Sequence, residues 1–564
     1  MELVYFLIAA VVFLIAKGIY DSVRNKKKIR EKIQREFGTL NDEDDFNLQL
    51  AEDSAVYFEE EKKISGDFSI DNITANDLAL DYIYLLTDKT RSAAGSSVYF
   101  NILRTPCFDE KELYRREKLL NFFETNSEKR IDLQLALSSM SKKPGFHVHY
   151  ILEAFRNNKF ENPLIQYIHS ILLLASVIYA IVVNTSASLL FPVIVIIYNI
   201  VSYYMAKSKI DRYMYGIKNI IGLIEAGNKI LKVNAGEFDK ENNELQKALS
   251  KLKSLKKASW AIKTTVSGDL ASILLDYANL VFHFDLISLN KAIKCAAVEN
   301  ESIMVLYRNL GYIDAMINIC SLRAFSKCFC IPELSKEGKP HLSFKGAYHL
   351  LLNDPVPADL DTDRNILITG SNASGKSTFL KTVALNAIFA QTIHTCFAES
   401  YKGSFFRVIT GMSLSDNIIA GESYYITEIK SLKRIMDDES ETPVLCFVDE
   451  VLRGTNTIER IAASTASLSY LAKQNKLVFA ATHDIELTSL LKQDFSNYHF
   501  EENLNEEGDV CFDYMLKSGP SETRNAILML KAYGYDTNII ESASALAEDF
   551  VKNGAWINPL EAKG

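Results

Sequence analysis

A glycine-rich loop between a strand and a helix constrains this chain more than any other feature. Residues 364–369 are apolar enough for a buried strand, and residues 378–391 have helical character. Between them stands Gly370-Ser-Asn-Ala-Ser-Gly-Lys-Ser377, which fits G-x-x-x-x-G-K-[ST] in the strand–loop–helix setting. Such a loop turns backbone N–H groups towards phosphate oxygens at a helix N-terminus. The pattern therefore predicts an α/β nucleotide-binding domain built on a parallel sheet.

The residues of this loop have different expected roles in binding the nucleotide and its metal ion. Lys376 is placed to reach the β- and γ-phosphates of ATP, and the Ser377 hydroxyl to ligate Mg²⁺. The other residues expected to bind the nucleotide from this loop are Gly370, Ser371, Asn372, Ala373, Ser374, Gly375 and Thr378.

Two further apolar stretches end in polar residues. Val444–Val448 precedes Asp449 and Glu450, and Leu477–Ala481 precedes a Thr-His pair that includes His483. Parallel strands present their carboxyl ends at one edge of a sheet, where α/β ligands bind. We expect Asp449 to hold Mg²⁺ and Glu450 to orient or deprotonate the attacking water. For His483 we prefer a γ-phosphate sensor, although a lone histidine is more often structural.

Four ordered segments resemble the MutS family of DNA mismatch-repair ATPases. The loop is similar to G-P-N-M-G-G-K-S-T, with Asn372 matching, and residues 449–457 are similar to D-E-I-G-R-G-T-S-T. Residues 481–487 are similar to A-T-H-Y-x-E-L, and residues 415–424 to D-D-x-x-x-G-x-S-T-F. The resemblance implies a catalytic role for Asn372. It also implies that Ser423 reaches the nucleotide of a neighbouring subunit, so that a homodimer forms composite sites.

Other parts of the chain depart from that family. Only roughly fifty residues separate the first apolar run from the helical core, too few for mismatch-reading and connector domains. Phe58-Glu59-Glu60 has the F-x-E form of the mismatch-reading motif but lies in an acidic run, which favours coincidence. Val356 stands near the position of the aromatic residue that stacks on adenine. The sequence therefore favours loss of mismatch recognition.

Three apolar runs predict membrane spans. Leu3–Ala16 is expected to be an anchor; the rival is a signal peptide, but no basic n-region precedes the run. Leu164–Ala206, broken at residues 184–188, gives two stretches long enough to cross a bilayer. Both are apolar all round, which argues against the rival interpretation as half-buried core helices.

Basic residues set the expected orientation. They follow the first run and flank the hairpin, at Arg24, Lys26, Lys27, Lys28, Arg30, Lys32, Arg156, Lys159, Lys207, Lys209 and Arg212. Because positive charge stays on the cytoplasmic side, residue 1 and the hairpin loop should face outward and the remainder the cytoplasm, as in a bacterial inner membrane.

Overall charge gives no sign of nucleic-acid binding. The net charge is -9, and the eight cysteines lie without the histidine partners of a zinc site. One lysine-rich helix, residues 245–257, is the local exception. Its basic residues, Lys247, Lys251, Lys253, Lys256 and Lys257, form either a solvated face or a contact to backbone phosphates.

The expected fold is an α/β P-loop domain preceded by an all-α lever domain that carries transmembrane helices. The expected segments are an N-terminal anchor (1–20), a charged linker (21–68), the first part of the lever (69–162), a transmembrane hairpin (163–206), the second part of the lever (207–345), the ATPase domain (346–520) and a helical dimerisation segment (521–564). The expected function is ATP hydrolysis with Mg²⁺, linked by resemblance to mismatched DNA. The alternative is a membrane-bound ATP-driven switch acting on a protein or membrane partner.

Overall fold

The structure is a computed structural model that describes residues 2–157, 164–233, 238–262, 270–371, 374–412, 424–453, 455–504, 510–521, 527, 530, 534–554 and 556. The chain forms two compact units. The first comprises Met1–Asp67, Tyr82–Leu103 and Tyr114–Phe325, and the second comprises Phe68–Asp81, Arg104–Leu113 and Ser326–Gly564.

Helices make up the first half of the chain. They are α1 (Glu2–Glu36), α2 (Leu48–Ser65), α3 (Asn72–Asp77), α4 (Leu80–Thr87), α5 (Ala93–Arg104), α6 (Glu110–Thr125), α7 (Ser127–Leu137), α8 (Val148–Asn157), α9 (Leu164–Val183), α10 (Leu190–Val233), α11 (Asp239–Lys251), α12 (Lys253–Ala258), α13 (Leu270–Phe282), α14 (Phe284–Val298) and α15 (Asn300–Phe325), with a short 3₁₀ turn at Glu43–Asp45.

The core of the first unit is built around α15. Ile303, Leu306, Leu310, Ile313 and Ile317 recur at helical spacing and are all buried. A helix with such a stripe gains most of its stability from packing, and α11 and α14 supply neighbouring surfaces.

The N-terminal region differs from the expected anchor and linker. Helix α1 continues without interruption past residue 20 to Glu36, and α2 occupies much of the segment expected to be a charged linker. Tyr57 and Phe58 are buried, because they belong to one face of α2 whose residues recur at helical spacing, namely Leu50, Asp53, Ser54, Tyr57 and Phe58. Phe58 packs edge-on against Phe100 with ring centroids 6.0 Å apart, which supports the interpretation of its F-x-E motif as coincidence.

Within the described residues, two helical stretches are long and apolar enough to cross a membrane, where the sequence predicted three. They are Leu164–Val183, with mean hydropathy 1.9, and Leu190–Lys207, with mean hydropathy 1.5. Only 28% of the first and 17% of the second is buried, whereas the core helix of a globular protein is mostly buried. Most side chains of Leu3–Ala16 fall outside the described residues, so that span stays a prediction.

The second unit contains the strands and the remaining helices. They are β1 (Glu333–Ser335), β2 (Leu342–Ala347), β3 (Ala358–Thr362), β4 (Asn365–Thr369), α16 (Lys376–Thr392), β5 (Ser400–Ser404), β6 (Arg407–Gly411), α17 (Tyr424–Met436), β7 (Val444–Asp449), α18 (Thr457–Ala472), β8 (Lys476–Thr482), α19 (Glu486–Leu490), β9 (Phe495–His499), β10 (Glu502–Leu504), β11 (Val510–Phe512), β12 (Lys517–Ser518) and α20 (Thr537–Asn553).

A six-stranded sheet in the order β12-β9-β4-β8-β7-β6 forms the centre of this unit. Strands β9, β4, β8, β7 and β6 run parallel, and β12 is antiparallel to β9. Every residue of β4 and β8 is buried, as expected for strands covered on both faces. The strands predicted at 364–369, 444–448 and 477–481 are confirmed.

The second unit begins before the expected residue 346. Strands β1 and β2 join β5 and β3 in a four-stranded sheet, so the main segment of the unit starts at Ser326. Helix α3, from the first hundred residues, also belongs to it: the Thr410 hydroxyl and the Met412 N–H both donate to the Asp77 carboxylate. These contacts join residues more than 300 positions apart, which no local pattern predicts.

Candidate nucleotide site

The carboxyl ends of three neighbouring parallel strands form the candidate site. In the sheet register Thr369 of β4 lies opposite Thr482 of β8, and Asp449 of β7 lies opposite Ala481. The glycine-rich loop, the acidic pair and the histidine motif therefore follow their strands at one edge. This is the arrangement that the three sequence motifs predicted.

Backbone geometry explains the two glycines of the loop. Gly370 has φ of 146°, and a Cβ there would lie 2.7 Å from the Phe500 carbonyl oxygen. Gly375 has φ of 106° and caps α16. Both conformations favour glycine, and Gly370 also allows a close backbone approach. Asn372 and Ala373 lie outside the described residues.

Lys376 is the first residue of α16, and its side chain bends back over the loop. The Nζ atom donates to the carbonyl oxygens of Gly370, at 2.7 Å, and Ser371, at 2.6 Å. Its side chain is almost fully buried, with a residue exposure of 4%. A buried ammonium at the N-terminus of a helix favours an anionic ligand.

Ser377 and Asp449 join the loop to strand β7. The Ser377 hydroxyl donates to Asp449 Oδ2. Burial raises the pKa of Asp449, with a further contribution from the neighbouring Glu450 charge, while the Ser377 hydrogen bond acts in the opposite direction.

The residues around Asp449 fit a Mg²⁺ ion. The described residues contain no group of three or more His, Cys, Asp or Glu side chains that could enclose a metal. Mg²⁺ bound to a nucleotide needs only one or two protein oxygens, since phosphates and water supply the rest. Ser377 and Asp449 offer two such oxygens, and a cation there would relieve the cost of a buried negative charge.

Glu450 is held by partners on two sides. Its Oε1 atom lies 2.8 Å from His483 Nε2, and Arg453 Nη1 donates to its Oε2. Its N–H donates to the Ala481 carbonyl oxygen at 2.9 Å, while φ of 55° holds the residue in the left-handed region. The His483 hydrogen bond is the main cause that lowers the pKa of Glu450 to about 2; Arg453 adds to it, and partial burial opposes both.

The contact between Glu450 and His483 bears on the expected role of each residue. Glu450 is ionised throughout the neutral range and is a weak base, so its geometry suits the orientation of a water molecule more than its deprotonation. His483, expected as a γ-phosphate sensor, lies against the Glu450 carboxylate.

A cleft of about 470 Å³ extends from these residues. Lys376, Ser377 and Glu450 line it together with His349 and others, among them Val356, which stands near the position of the family's adenine-stacking aromatic residue. Burial, with a contribution from Lys381, lowers the pKa of His349 to about 4, so the imidazole is neutral at pH 7.

Sequence reasoning missed Tyr514, an aromatic residue that also lines the cleft. A Cβ built on Gly375 would lie 3.1 Å from the Tyr514 ring, which places that ring directly over the loop. The ring stacks on Phe512, with centroids 5.8 Å apart. Tyr514 lies more than 130 residues after the loop, outside every motif, and no signal in the sequence marked it.

The fourth motif of the sequence lies just before α17. Residues 413–423, including the expected trans-acting Ser423, lie outside the described residues, and α17 begins directly afterwards at Tyr424.

Comparison with known proteins relates part of the second unit to one family. The family model of MutS domain V matches residues 366–551. The DNA mismatch repair protein MutS of Listeria innocua is 30% identical over 270 residues, which cover 45% of this chain and 30% of that protein. MutS of Thermus thermophilus is 31% identical over 193 residues, which cover 34% of this chain and 24% of that protein. The mismatch repair protein MSH3 of Candida glabrata is 34% identical over 206 residues, which cover 34% of this chain and 20% of that protein. The chain thus matches less than a third of the length of each of these relatives.

Proposed function

We propose, from the premise that this chain belongs to the MutS family through its domain V, that it binds ATP with Mg²⁺ and hydrolyses it. One observation carries the proposal: Lys376, Ser377 and Glu450 line one cleft at the edge of a parallel sheet, and the Ser377 hydroxyl donates to Asp449 beside it. These are the groups that phosphoryl transfer to water needs, namely phosphate-binding charge, metal-binding oxygens and a carboxylate for the water.

The mechanism assigns one task to each group. Lys376 binds the β- and γ-phosphates and offsets their charge. Ser377 and Asp449 would hold Mg²⁺, which when bound supplies electrostatic stabilisation of the phosphate oxygens. Glu450 accepts a hydrogen bond from the attacking water and aligns it, while His483 fixes the carboxylate in position. Tyr514 covers the loop and provides a surface for the base.

Removal of the loop lysine tests this proposal. In Lys376→Ala, the lost charge-assisted bonds should weaken ATP binding by about 10-fold to 100-fold, measured by titration with a fluorescent nucleotide. Lys433→Ala, on the exposed face of α17, is the matched control and should bind as the wild type does. Equal affinity in both variants would refute the assignment of the loop.

Composite sites across a homodimer are the second element of the proposal. If Ser423 reaches the nucleotide of the partner subunit, Ser423→Ala should bind ATP normally but turn it over slowly. A mixture of Ser423→Ala and Lys376→Ala chains should regain activity, because one of the two sites in each heterodimer is then intact. With heterodimers confirmed by pull-down, a mixture no more active than its separate parts would place Ser423 outside the partner's site.

Membrane insertion of the α9–α10 hairpin is the third element. Large apolar side chains along both helices are exposed, including Ile171, Ile178, Ile181, Val182, Phe191, Ile194 and Ile197. A soluble monomer rarely exposes an apolar surface of this extent, whereas the lipid phase covers it. Basic residues flank both inner ends, so the loop at residues 184–188 should face outward. With the α1 anchor, this gives three spans and a cytoplasmic ATPase unit in an inner membrane.

Cysteine labelling tests this topology. In a cysteine-free background, Thr185→Cys should react with an impermeant maleimide in intact cells, and Ser254→Cys should react only after permeabilisation. Labelling of Ser254→Cys alone in intact cells would show that the orientation is inverted.

The partner on which ATP hydrolysis acts has two candidates. The relatives are named for DNA mismatch repair, which favours DNA near the membrane. The exposed hairpin and the burial of Phe58 favour the other candidate, a membrane-bound conformational switch without mismatch recognition. Gel shifts with duplex, mismatched and branched DNA over a salt series distinguish them. Salt-sensitive binding with a preference for mismatches would exclude the second candidate.

A further inference from the structure

The lysine-rich region of the first unit forms an uncompensated basic surface. We call Lys247, Lys251, Lys253, Lys256 and Lys257 the lysine face; all five are exposed on α11 and α12. Beneath them Leu245, Leu249, Leu252 and Leu255 are buried, which fixes the lysines outward. Among the residues that the structure describes, no carboxylate lies within ion-pair distance of these ammonium groups. The surface is therefore free to attract an anionic partner.

An exposed tryptophan stands at the end of this surface. Trp260 follows α12 directly and is 62% exposed. Its ring lies 5.7 Å from that of Phe284, which in turn stacks on Phe282 at 5.3 Å. The Asn279 side-chain amide donates to the Ala261 carbonyl oxygen, at 3.3 Å. These contacts tie the end of the lysine face to the junction between α13 and α14.

The α13–α14 junction is in turn fixed to the hairpin. The Asn199 amide donates to the Val281 carbonyl oxygen, and His283 Nε2 lies 3.0 Å from the Asn199 carbonyl oxygen. The Ser170 hydroxyl donates to the Phe282 carbonyl oxygen. Asn199 is eight residues (207 − 199) from the inner end of the apolar window Leu190–Lys207, about 12 Å along a helix. The α13–α14 junction, with Trp260 against Phe284, therefore lies within about 12 Å of the level at which the hairpin would leave the lipid.

We propose that the lysine face and Trp260 bind the anionic phospholipid headgroups of the membrane that the hairpin enters; this rests on the insertion proposed above. Tryptophan favours the boundary between lipid and water, and lysines next to it favour an anionic leaflet. The same charges could attract nucleic-acid phosphates, but an exposed tryptophan beside an apolar hairpin matches a bilayer surface and not a duplex. The surface would then set how the first unit lies on the bilayer.

The experiment uses the full-length protein in nanodiscs, with Trp260 as its reporter. Only two tryptophans are present, so Trp556→Phe leaves Trp260 alone. Nanodiscs of phosphatidylcholine are compared with nanodiscs that also contain phosphatidylglycerol, with both lipids brominated on their acyl chains to the same bromine content so that only the headgroup differs. Quenching should grow with phosphatidylglycerol content. In Lys253→Gln/Lys256→Gln/Lys257→Gln the apparent affinity should fall roughly 100-fold, at about five-fold per lysine.

A matched triple variant controls for lost charge alone. Lys433→Gln/Lys473→Gln/Lys492→Gln removes three exposed lysines from the second unit and should behave as the wild type does. Equal quenching with and without phosphatidylglycerol, or equal behaviour of the two triple variants, would overturn the proposal. A loss of duplex DNA binding in the first triple variant, with unchanged lipid dependence, would reassign the surface to nucleic acid.

A separate measurement distinguishes this inference from the insertion on which it depends. Carbonate extraction of native membranes reports insertion of the proposed spans, independently of the lysine face. If the protein resists extraction but shows no dependence on phosphatidylglycerol, the lysine face does not bind lipid while insertion stands. If carbonate releases the protein, insertion itself fails and the lipid proposal fails with it.

Discussion

Two buried or partly buried carboxylates, one in each unit, have pKa values that move in opposite directions. The pKa of Glu450 in the α/β unit falls to about 2, mainly through its hydrogen bond to His483, with Arg453 on its other side. Burial raises the pKa of Asp314 in the helical unit to about 6. Its partners are neutral: the Ser92 hydroxyl at 2.7 Å and the Arg91 N–H at 3.0 Å.

The difference agrees with the two proposed roles, in which Glu450 acts on a ligand and Asp314 supports the fold. Glu450 opens onto a cleft and is kept ionised by basic partners, as a group that must orient water should be. Asp314 is fully enclosed on α15, and a Cβ on Gly95 would collide with it. Its hydrogen bonds join α15 to the loop before α5. Substitution should therefore affect turnover at Glu450 and stability at Asp314.

The largest expected effect is at Glu450. Glu450→Gln should lower steady-state ATP turnover by about 100-fold to 10,000-fold while the protein still binds ATP, because an amide neither attracts nor aligns the water as a carboxylate does. Turnover is measured by phosphate release and binding by nucleotide titration. Glu439→Gln, an exposed residue before β7, serves as the control. Unchanged turnover in Glu450→Gln would show that Glu450 does not align the attacking water.

Asp314 should affect stability through pH. Its folded pKa, about 6, exceeds the ordinary value of 3.8, so the folded state holds the proton more tightly. The contribution of Asp314 to stability is therefore greatest below about pH 4 and is lost as pH rises through 6, by about 3 kcal/mol at most. In unfolding curves of the detergent-solubilised protein, Asp314→Asn should flatten the dependence of the free energy of unfolding on pH. Asp363→Asn, at an exposed position, should leave that dependence unchanged. If Asp314→Asn shows the same pH dependence of stability as the wild type, a group other than Asp314 is responsible for it.

The smallest expected effect is at His483. His483→Ala leaves Arg453 as the remaining side-chain partner of Glu450, so the carboxylate should be ionised but less well placed. Turnover should fall about 10-fold with little change in ATP affinity, as expected when positioning alone is lost. His341→Ala, whose imidazole pairs with Asp361 away from the cleft, is the control. A large loss of ATP affinity in His483→Ala would instead favour direct contact with the phosphates.

The strand-end site could be predicted because its parts are contiguous in the chain. An apolar strand followed by Gly370, by Asp449 or by Thr482 brings its polar residues to a fixed edge once the strands run parallel. The strands, the order of the motifs and the burial of β4 and β8 all follow from such local patterns.

Contacts between distant segments could not be predicted in this way. Asp77 supports Thr410 across more than 300 residues, and Tyr514 covers a loop far upstream in the chain. Asn199 and His283 bond mainly to backbone oxygens, from helices with no shared motif. The linker expected at residues 21–68 is mostly helical, because Tyr57 and Phe58 are buried against residues from other segments of the chain. Each case depends on tertiary packing, which composition and spacing do not encode.

Helix α10 gives the proposed membrane arrangement a mechanical consequence. It runs without interruption for 44 residues, of which 18 form the apolar window. The remaining 26 residues (44 − 18) extend about 39 Å beyond it as a rigid rod. If the rod pivots at the bilayer surface, a tilt of about 10° would move its far end by about 7 Å. Lipid thickness and curvature, which set the tilt of the embedded portion, would then become mechanical inputs to the helical unit.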